Sequence, residues 1–533
     1  MEPAPRPATP GASRLPTPIA EDGPLLAGLD LGTTSIKAGV YGPDGRSLAQ
    51  ASVATPVAHP RPGWATHEAE AIWQCAAAVL RQATAQLKAQ GLDPRRVAGV
   101  AVASMGEAGV LLDAQGRPCS EVIAWYDGRT QDQAAWLERE VGRERLLAVT
   151  GLPLQPIFGL CKLRWLKEHE PQAFGRAVRW LNLGDYVAFR LCGAQATDLS
   201  LASRTLALDL RRAAWSAELL AAAGVPLGLM APLVPSGTLL GAVTATAGAE
   251  TGLPAGCRVA AGGHDHDCGA LAAGATEPGE VLDSLGTAEA IFVPLERPIA
   301  DLALGRRGYA QGVHVVPGRY YVHGGIYTCG ASVAWLQGVV GRTADAELSE
   351  LLAEAEAVPP GSLGAYFLPY LRLANPPHDD PLARGAFVGL TADTTRGALC
   401  RAVLEGLAYE SRLSLDTLLA APGVAPLRRL VAIGGGTRNK LLMRIKACVL
   451  GRAITVADVP EATSLGAALL AGLGAGVYQG VDAVARSVRP PQLTVEPEAT
   501  DVSGYARRFE EVYVRLYPAL RDLHHAVARL AHA

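Results

Sequence analysis

Paired cysteines are the first thing missing from this 533-residue sequence. Its nine cysteines (Cys75, Cys119, Cys161, Cys192, Cys257, Cys268, Cys329, Cys400 and Cys448) stand singly, most in apolar surroundings, and no C-x-x-C pair occurs. This excludes a disulfide scaffold or a zinc framework and leads us to expect reduced thiols in a cytoplasmic protein. An excess of one charge sign is missing as well. Forty-eight Lys and Arg stand against 51 Asp and Glu, for a net charge of −3, which leaves no basic footprint for nucleic acid or an anionic membrane surface. No stretch reaches the roughly 18 uncharged apolar residues that a membrane span needs. Residues 1–23 carry six prolines and no apolar core, so a disordered tail without a secretory leader is expected there. Neither the P-loop spacing nor the dinucleotide G-x-G-x-x-G pattern is present.

What remains is a core-rich chain, 49% hydrophobic and 19% charged, too long for one core and so expected to divide into at least two domains. The folded part opens with an apolar strand, Leu25–Leu31, and the tight turn Gly32-Thr33-Thr34-Ser35. A second strand carries Lys37, a Pro43-Asp44-Gly45 turn follows, and a third strand runs from Ser47 to Thr55. Backbone N–H groups, two hydroxyls and Lys37 in one concavity suit phosphate oxygens, although such a turn can also be only a turn. Helical spacing predicts a helix over 66–90 with Thr66 as a candidate cap, and a fourth strand over Val97–Ser104 ending in Met105-Gly106-Glu107. Loops at the carboxyl ends of such strands are where α/β folds place ligand-binding side chains. Trp125-Tyr126-Asp127-Gly128-Arg129-Thr130 puts an aromatic platform, an acid and a base together; it fits either a hydrophilic ligand such as a sugar or an internal Asp127–Arg129 salt bridge.

Residues 131–256 read as mainly helical, with a polar loop at 197–205. Near the middle of the chain, His264-Asp265-His266-Asp267 interrupts a run of small apolar residues. Charges placed there need a partner or a purpose. One carboxylate can serve as a base, with the histidines hydrogen-bonding around it and Asp267 capping the next helix. The competing reading is a metal site, disfavoured because consecutive residues seldom converge on one ion. The second half repeats the opening in outline: a strand over 281–285 meets Gly286-Thr287, and Cys329-Gly330 opens a helix. A long helix is expected over Arg396–Leu419. A buried strand then runs into Gly434-Gly435-Gly436-Thr437-Arg438-Asn439, and small-residue helices follow. Glycines there allow close approach of a ring or a phosphate, and Asn439 offers amide hydrogen bonds.

Taken together, Asp30-Leu31-Gly32-Thr33-Thr34-Ser35, Trp125-x-Asp127-x-Arg129-Thr130, Thr197-Asp198 with Ala202-Ser203-Arg204-Thr205, Gly385-Ala386-Phe387-Val388-Gly389-Leu390, Leu404-Glu405-Gly406 and Gly434-Gly435-Gly436-x-x-Asn439 resemble the FGGY family of carbohydrate kinases. The likeness runs from about residue 25 to about residue 485. It implies an α/β fold of two ribonuclease-H-like, actin-like ATPase domains flanking a nucleotide cleft: 25–262 on the sugar and phosphate side, 263–490 on the adenine side, and a helical extension over 491–533. It also implies ATP and Mg²⁺, with γ-phosphoryl transfer to a sugar hydroxyl. Asp30 would organise Mg²⁺–ATP, Thr33, Thr34, Lys37, Gly286 and Thr287 would meet phosphates, and Gly330, Gly435 and Asn439 would line the nucleoside pocket. Asp265 stands at the position of the family's general base, and Glu107, Trp125, Asp127 and Arg129 are the candidates for the sugar. Glycerol kinases carry Arg-Glu where this chain has Gly106-Glu107, so the resemblance points toward the xylulokinase and L-fuculokinase-like branches. The alternatives are a glycerol or polyol kinase of the same family and, as a different class, a nucleotide-dependent sugar sensor without kinase activity; the assembly expected is a homodimer.

Overall fold

The computed structural model describes residues 23–340 and 348–531; the Pro-rich stretch expected to be a disordered tail lies, apart from Gly23, outside the described residues. The first sheet grows from β1 (Leu25–Leu31), β2 (Ser35–Tyr41) and β3 (Ser47–Ala54), an antiparallel meander. β4 (Val97–Ser104) adds parallel to β1 after the crossover helix α1 (Ala69–Ala89). β5 (Leu239–Ala242) and β6 (Arg258–Ala260) extend the far edge, giving the order β5-β6-β4-β1-β2-β3. Helix α1 begins three residues later than its spacing suggests. Thr66 and His67 pair instead with Val122 and Ile123 as a two-residue strand, and Glu68 takes the cap position.

The second half repeats this plan. β8 (Glu280–Leu285) and β9 (Glu289–Leu295) form a hairpin, and β11 (Tyr320–Ile326) continues it with β10 (Ala310–Val313) on its outer edge. β12 (Arg429–Ile433) and β13 (Ile454–Ala457) add in parallel on the other side of β8. Asp30 near the end of β1 and Gly286 just past β8 therefore occupy matching corners of two like sheets.

Two expected boundaries move. The short strand β7 (Gly263–His264) pairs parallel with β4, so the residue before Asp265 belongs to the first sheet rather than opening the second domain. The C-terminal stretch is not purely helical, because β14 (Gln492–Val495) pairs antiparallel with β13 at the edge of the second sheet. Tyr505, Phe509, Tyr513 and Tyr517 then pack into that domain's core.

The two sheets share a third core rather than merely touching. Ala101 and Ala103 of β4, Leu282 of β8 and Val431 of β12 join residues of α3 (Asp265–Ala273) and α7 (Ala462–Gly474) in one apolar cluster. (The helices numbered between these two are α4, Cys329–Val340; α5, Arg396–Leu419; and α6, Lys440–Leu450.) The seam depends on absent side chains. A Cβ at Gly28 would lie 1.8 Å from Ser464 O, and one at Gly466 would lie 2.0 Å from Cys268 O.

Alanine is the better helix former than glycine by about 1 kcal/mol, whereas overpacking that forces backbones apart costs about 1–3 kcal/mol. With a contact at 2.0 Å the second effect wins. Gly466→Ala is expected to lower the thermal midpoint of the full chain, measured by calorimetry; an unchanged or raised midpoint would show that the seam yields freely.

Candidate active site

Each sheet offers one glycine-threonine turn. In the first, Thr55 uses up the turn's carbonyls, its hydroxyl donating to Gly32 O at 2.7 Å and its N–H to Thr34 O at 3.0 Å. The exposed Thr33 and Thr34 keep their backbone N–H groups out of the turn's own bonds. Trp125 braces this turn, its indole N–H donating to Thr33 Oγ1 at 2.9 Å, while the side chain stays half-buried. Lys37, expected at the phosphates, is paired with Glu461 of the second half at 2.9 Å. In the second turn Gly286, Thr287 and Ala288 are exposed. Helix α4 packs behind it, the N–H of Gly330 donating to Gly286 O at 3.1 Å and that of Ala331 to Thr287 O at 3.2 Å.

A buried ion triad stiffens the second turn, which sequence reasoning did not find. Lys446 of α6 reaches Asp283 Oδ2 at 2.5 Å and Glu289 Oε1 at 3.0 Å, on the strands either side of the turn. Burial and then the neighbouring Glu289 push Asp283 up to about 7, against the pull of Lys446. The glycine loop after β12 follows. Gly435 faces open space, and Asn439 caps α6, its Oδ1 accepting from Leu442 N–H at 3.0 Å.

Between the turns, the His264–Asp267 stretch sits at a strand-to-helix junction. The 197–205 loop, whose role was unclear from sequence, holds it there. Asp198 caps α2 (Leu199–Ser203) and accepts from Ser200 Oγ at 2.5 Å; Ser200 Oγ in turn accepts the N–H of His264 at 2.8 Å. Helix α3 starts at Asp265, so Asp267 does not cap it. It is buried in the first turn, 3.2 Å from His264 Nδ1. Burial, then Asp198, raises the Asp267 carboxyl well above the usual range, and burial holds His264 neutral. Asp265 keeps its side chain 27% exposed, with Oδ1 accepting from His266 N–H at 2.7 Å and lying 3.3 Å from His264 Nε2. His264, Asp265 and His266 are close enough for a shared cation. The convergence that seemed implausible within a strand arises because the backbone turns there.

The sugar candidates separate into two kinds. Asp127 and Arg129 are locked together, Nη2 to Oδ2 at 2.7 Å with side-chain exposures of 0% and 4%, and Arg129 lies 3.9 Å over the Trp64 ring. The internal salt bridge is the reading that holds for this pair, and neither side chain is free for a ligand. Glu107 is different. It sits at φ 62°, a left-handed conformation unusual outside glycine, and its carbonyl accepts from the fully buried Lys162 at 2.7 Å. Arg204 donates to its Oε1 from Nε at 2.7 Å and approaches the same oxygen from Nη2 at 2.6 Å. Arg204 and Lys162 were missed as site residues. Arg204 lay within a quoted motif, while buried Lys162 carried no local signal.

Two like sheets that each end in an exposed glycine-threonine turn, with the partly exposed Asp265 at a strand-to-helix junction beside the first, fit a nucleotide-dependent phosphotransferase of the actin-like ATPase fold. The comparisons agree. The N-terminal domain of the FGGY family of carbohydrate kinases matches residues 25–272 and its C-terminal domain residues 282–475. A glycerol kinase from Gloeobacter violaceus is 35% identical over 463 residues, 86% of this chain and 90% of its own. A xylulose kinase from Bacillus subtilis is 28% identical over 94% of this chain and 98% of its own. The crystal structure of a xylulose kinase from Rhodospirillum rubrum superposes with a TM-score of 0.86 at 34% identity, covering 94% of this chain and all of that one. The chain belongs to the FGGY family of carbohydrate kinases, which are ATP-dependent phosphotransferases. Among the described residues no helix is long and apolar enough to cross a membrane.

Asp30 carries a testable consequence. Burial first, then the charge of Asp265, pushes its carboxyl up to about 7, with Lys37 pulling the other way and Glu461 adding to the rise. A carboxyl whose folded value exceeds its unfolded one contributes stability fully at low pH and loses it as pH rises through the folded value. Without nucleotide or divalent metal, Asp30→Asn is therefore expected to be more stable than wild type at pH 8. The two should converge below pH 4, as read by urea denaturation across that range. A gap that does not widen with pH would show that Asp30 is not the strained carboxyl.

Proposed function

We propose that the chain transfers the γ-phosphoryl group of ATP to a hydroxyl of a pentulose- or hexulose-type sugar, with Asp265 as the general base. The observation that carries this reading is the position of Asp265: a partly exposed carboxylate at the first residue of α3, held by its neighbours, and electrostatically felt by Asp30 at the corner of the first sheet. Phosphoryl transfer asks for an oriented hydroxyl, neutralised phosphate charge and excluded water more than for covalent help. Asp265 takes the proton as the sugar oxygen bonds to the γ-phosphorus, while the bond to the β–γ bridging oxygen breaks and ADP leaves with that electron pair. The amides and hydroxyls of Thr33, Thr34 and Thr287 would hold phosphate oxygens, with Gly286 giving them room, and Gly330, Gly435 and Asn439 would border the nucleoside. Mg²⁺ suits the corner at Asp30, since a carboxyl pushed up first by burial and then by the neighbouring Asp265 and Glu461 marks a place short of positive charge; bound there with ATP, it would neutralise phosphate charge.

The acceptor is inferred from Gly106. A Cβ at this position would lie 3.0 Å from His264 Cδ2 and 3.1 Å from Arg204 Cγ, so the imidazole and the guanidinium stem fill the space beside it. This supports a sugar pocket floored by His264 rather than the Arg-Glu arrangement expected for a three-carbon polyol. Glycerol as acceptor is the second reading, favoured by the 35% identity to the Gloeobacter enzyme. The nine free cysteines support a reducing cytoplasmic setting.

A coupled ADP-release assay over ketoses, aldoses and glycerol tests the function. We expect ADP to be released with a ketose and not with glycerol. Asp265→Asn should cut turnover by roughly 10²–10⁴-fold, the usual span for a general base, while ATP binding measured by calorimetry stays near wild type. Near-normal turnover in that variant would remove Asp265 from the base's role, and glycerol outpacing every ketose would transfer the acceptor to the second reading.

A further inference from the structure

His323 lies in β11 of the second sheet, a position that none of the sequence motifs included. Strand alternation sends Val322 into the second domain's own core and turns Tyr321 toward the core shared by both sheets. His323 shares that inward face. Its ring centroid lies 5.5 Å from that of Tyr321 and 6.2 Å from that of His266, the residue after Asp265. Its Nε2 is 3.3 Å from Nη1 of Arg204, the residue that holds Glu107. One guanidinium from the first domain thus links a carboxylate of its own domain to an imidazole of the other.

The chemistry of that contact fixes the tautomer. A guanidinium has only donors and does not lose its proton in proteins, so His323 Nε2 accepts and the ring hydrogen is on Nδ1. Burial, followed by Arg204 and His266, holds His323 well below its ordinary value and therefore neutral. Its Nδ1–H has no hydrogen-bond partner among the described residues, and the side chain is only half-buried. On the opposite side of Arg204, both close contacts of the guanidinium fall on Glu107 Oε1, which leaves Oε2 open. A donor and an acceptor, one from each domain and both braced by Arg204, are set to meet hydroxyls of one molecule lying between them.

We infer that His323 is a specificity-determining residue of the sugar site, its Nδ1–H donating to a hydroxyl of the same sugar from which Glu107 accepts. This rests on the kinase reading for the identity of the pocket, and adds to it that the second domain reads the sugar directly. It also sets the ligand's chemistry. The group facing Glu107 must donate and the group facing His323 must accept, which neutral hydroxyls do. A carboxylate turned toward Glu107 would meet like charge, and one turned toward His323 would be held beside it, close to the same Glu107, so the pocket should favour ketoses over the corresponding acids.

Two amide replacements separate the ring nitrogens. His323→Gln can place an oxygen near the old Nε2, keeping the Arg204 contact and losing the donor toward the sugar. His323→Asn can place its NH₂ near the old Nδ1, keeping the donor and losing Arg204. Loss of one neutral hydrogen bond corresponds to about three- to tenfold in affinity. The full chain is titrated calorimetrically, without ATP, with the best ketose of the panel and with its sugar acid, and KM for ATP is measured alongside. Expected are weaker ketose binding in His323→Gln by about three- to tenfold, binding within about twofold of wild type in His323→Asn, an unchanged KM for ATP in both, and weaker binding of the acid. Equal loss in both variants, loss in neither, a matching rise in KM for ATP, or preference for the acid would each overturn the inference. Direct sugar binding does not depend on turnover. A wild-type chain that binds the ketose but releases no ADP would therefore refute the kinase reading while leaving His323 judged on its own result. One that binds no member of the panel would overturn His323 together with the pocket.

Discussion

The distance between the two halves rests on a seam of backbone contacts where glycine hydrogens stand in for side chains. Helix 462–474 comes from the second half of the chain yet lies directly on the first sheet at Gly28 and on the helix carrying Asp265 at Gly466. Interiors packed to crystal-like density cannot absorb a methyl group at such spacings without moving whole elements. The seam therefore sets how far apart the two glycine-threonine turns stand.

Within that frame the distribution of charge separates acids paired with a cation or spent on a helix cap from acids that are neither. Asp127 is spent on Arg129, Glu289 and Asp283 on Lys446, and Asp198 on the cap that carries Ser200. Buried acids so paired are held in place and unavailable to a ligand. Among the described residues Asp30 and Asp265 make no salt bridge with a Lys or Arg, and burial, then the charge of Asp265, raises the proton affinity of Asp30. Such a carboxyl is costly to ionise and is relieved when positive charge arrives beside it. Glu107 stands between these cases, half of its carboxylate fixed by Arg204 and half open.

Much of the fold could be read from the chain. Alternation and apolar runs marked β1, β4 and β12, and helical period marked 396–419 at its observed ends. The two Gly-Thr turns announced the repeated plan, and their matching places in the two sheets bear that out. The failures have physical causes. β7 is two residues long, and β14 is four largely exposed residues hemmed in by Pro490, Pro491 and Pro497, so each signal is too short to stand out. Glu107 and Arg204 are 97 positions apart, and Lys446 is 163 from Asp283. Long-range ion pairs of this kind leave no local pattern. The Asp127–Arg129 motif was visible, but only packing beneath Trp64 distinguishes a lock from a ligand site.

By itself, then, the sequence determined most of the elements, their duplication and the family, and it singled out Asp30 and Asp265 as the carboxylates to test. These follow from local backbone preference and from motifs whose spacing is carried by the chain itself. Tertiary structure alone decided which acids are neutralised, that His264 and Arg204 fill the space beside Gly106, and that an imidazole from the second sheet faces Arg204. Proton affinity and hydrogen-bond availability depend on burial and on partners hundreds of residues away, and those are known only once the chain has folded.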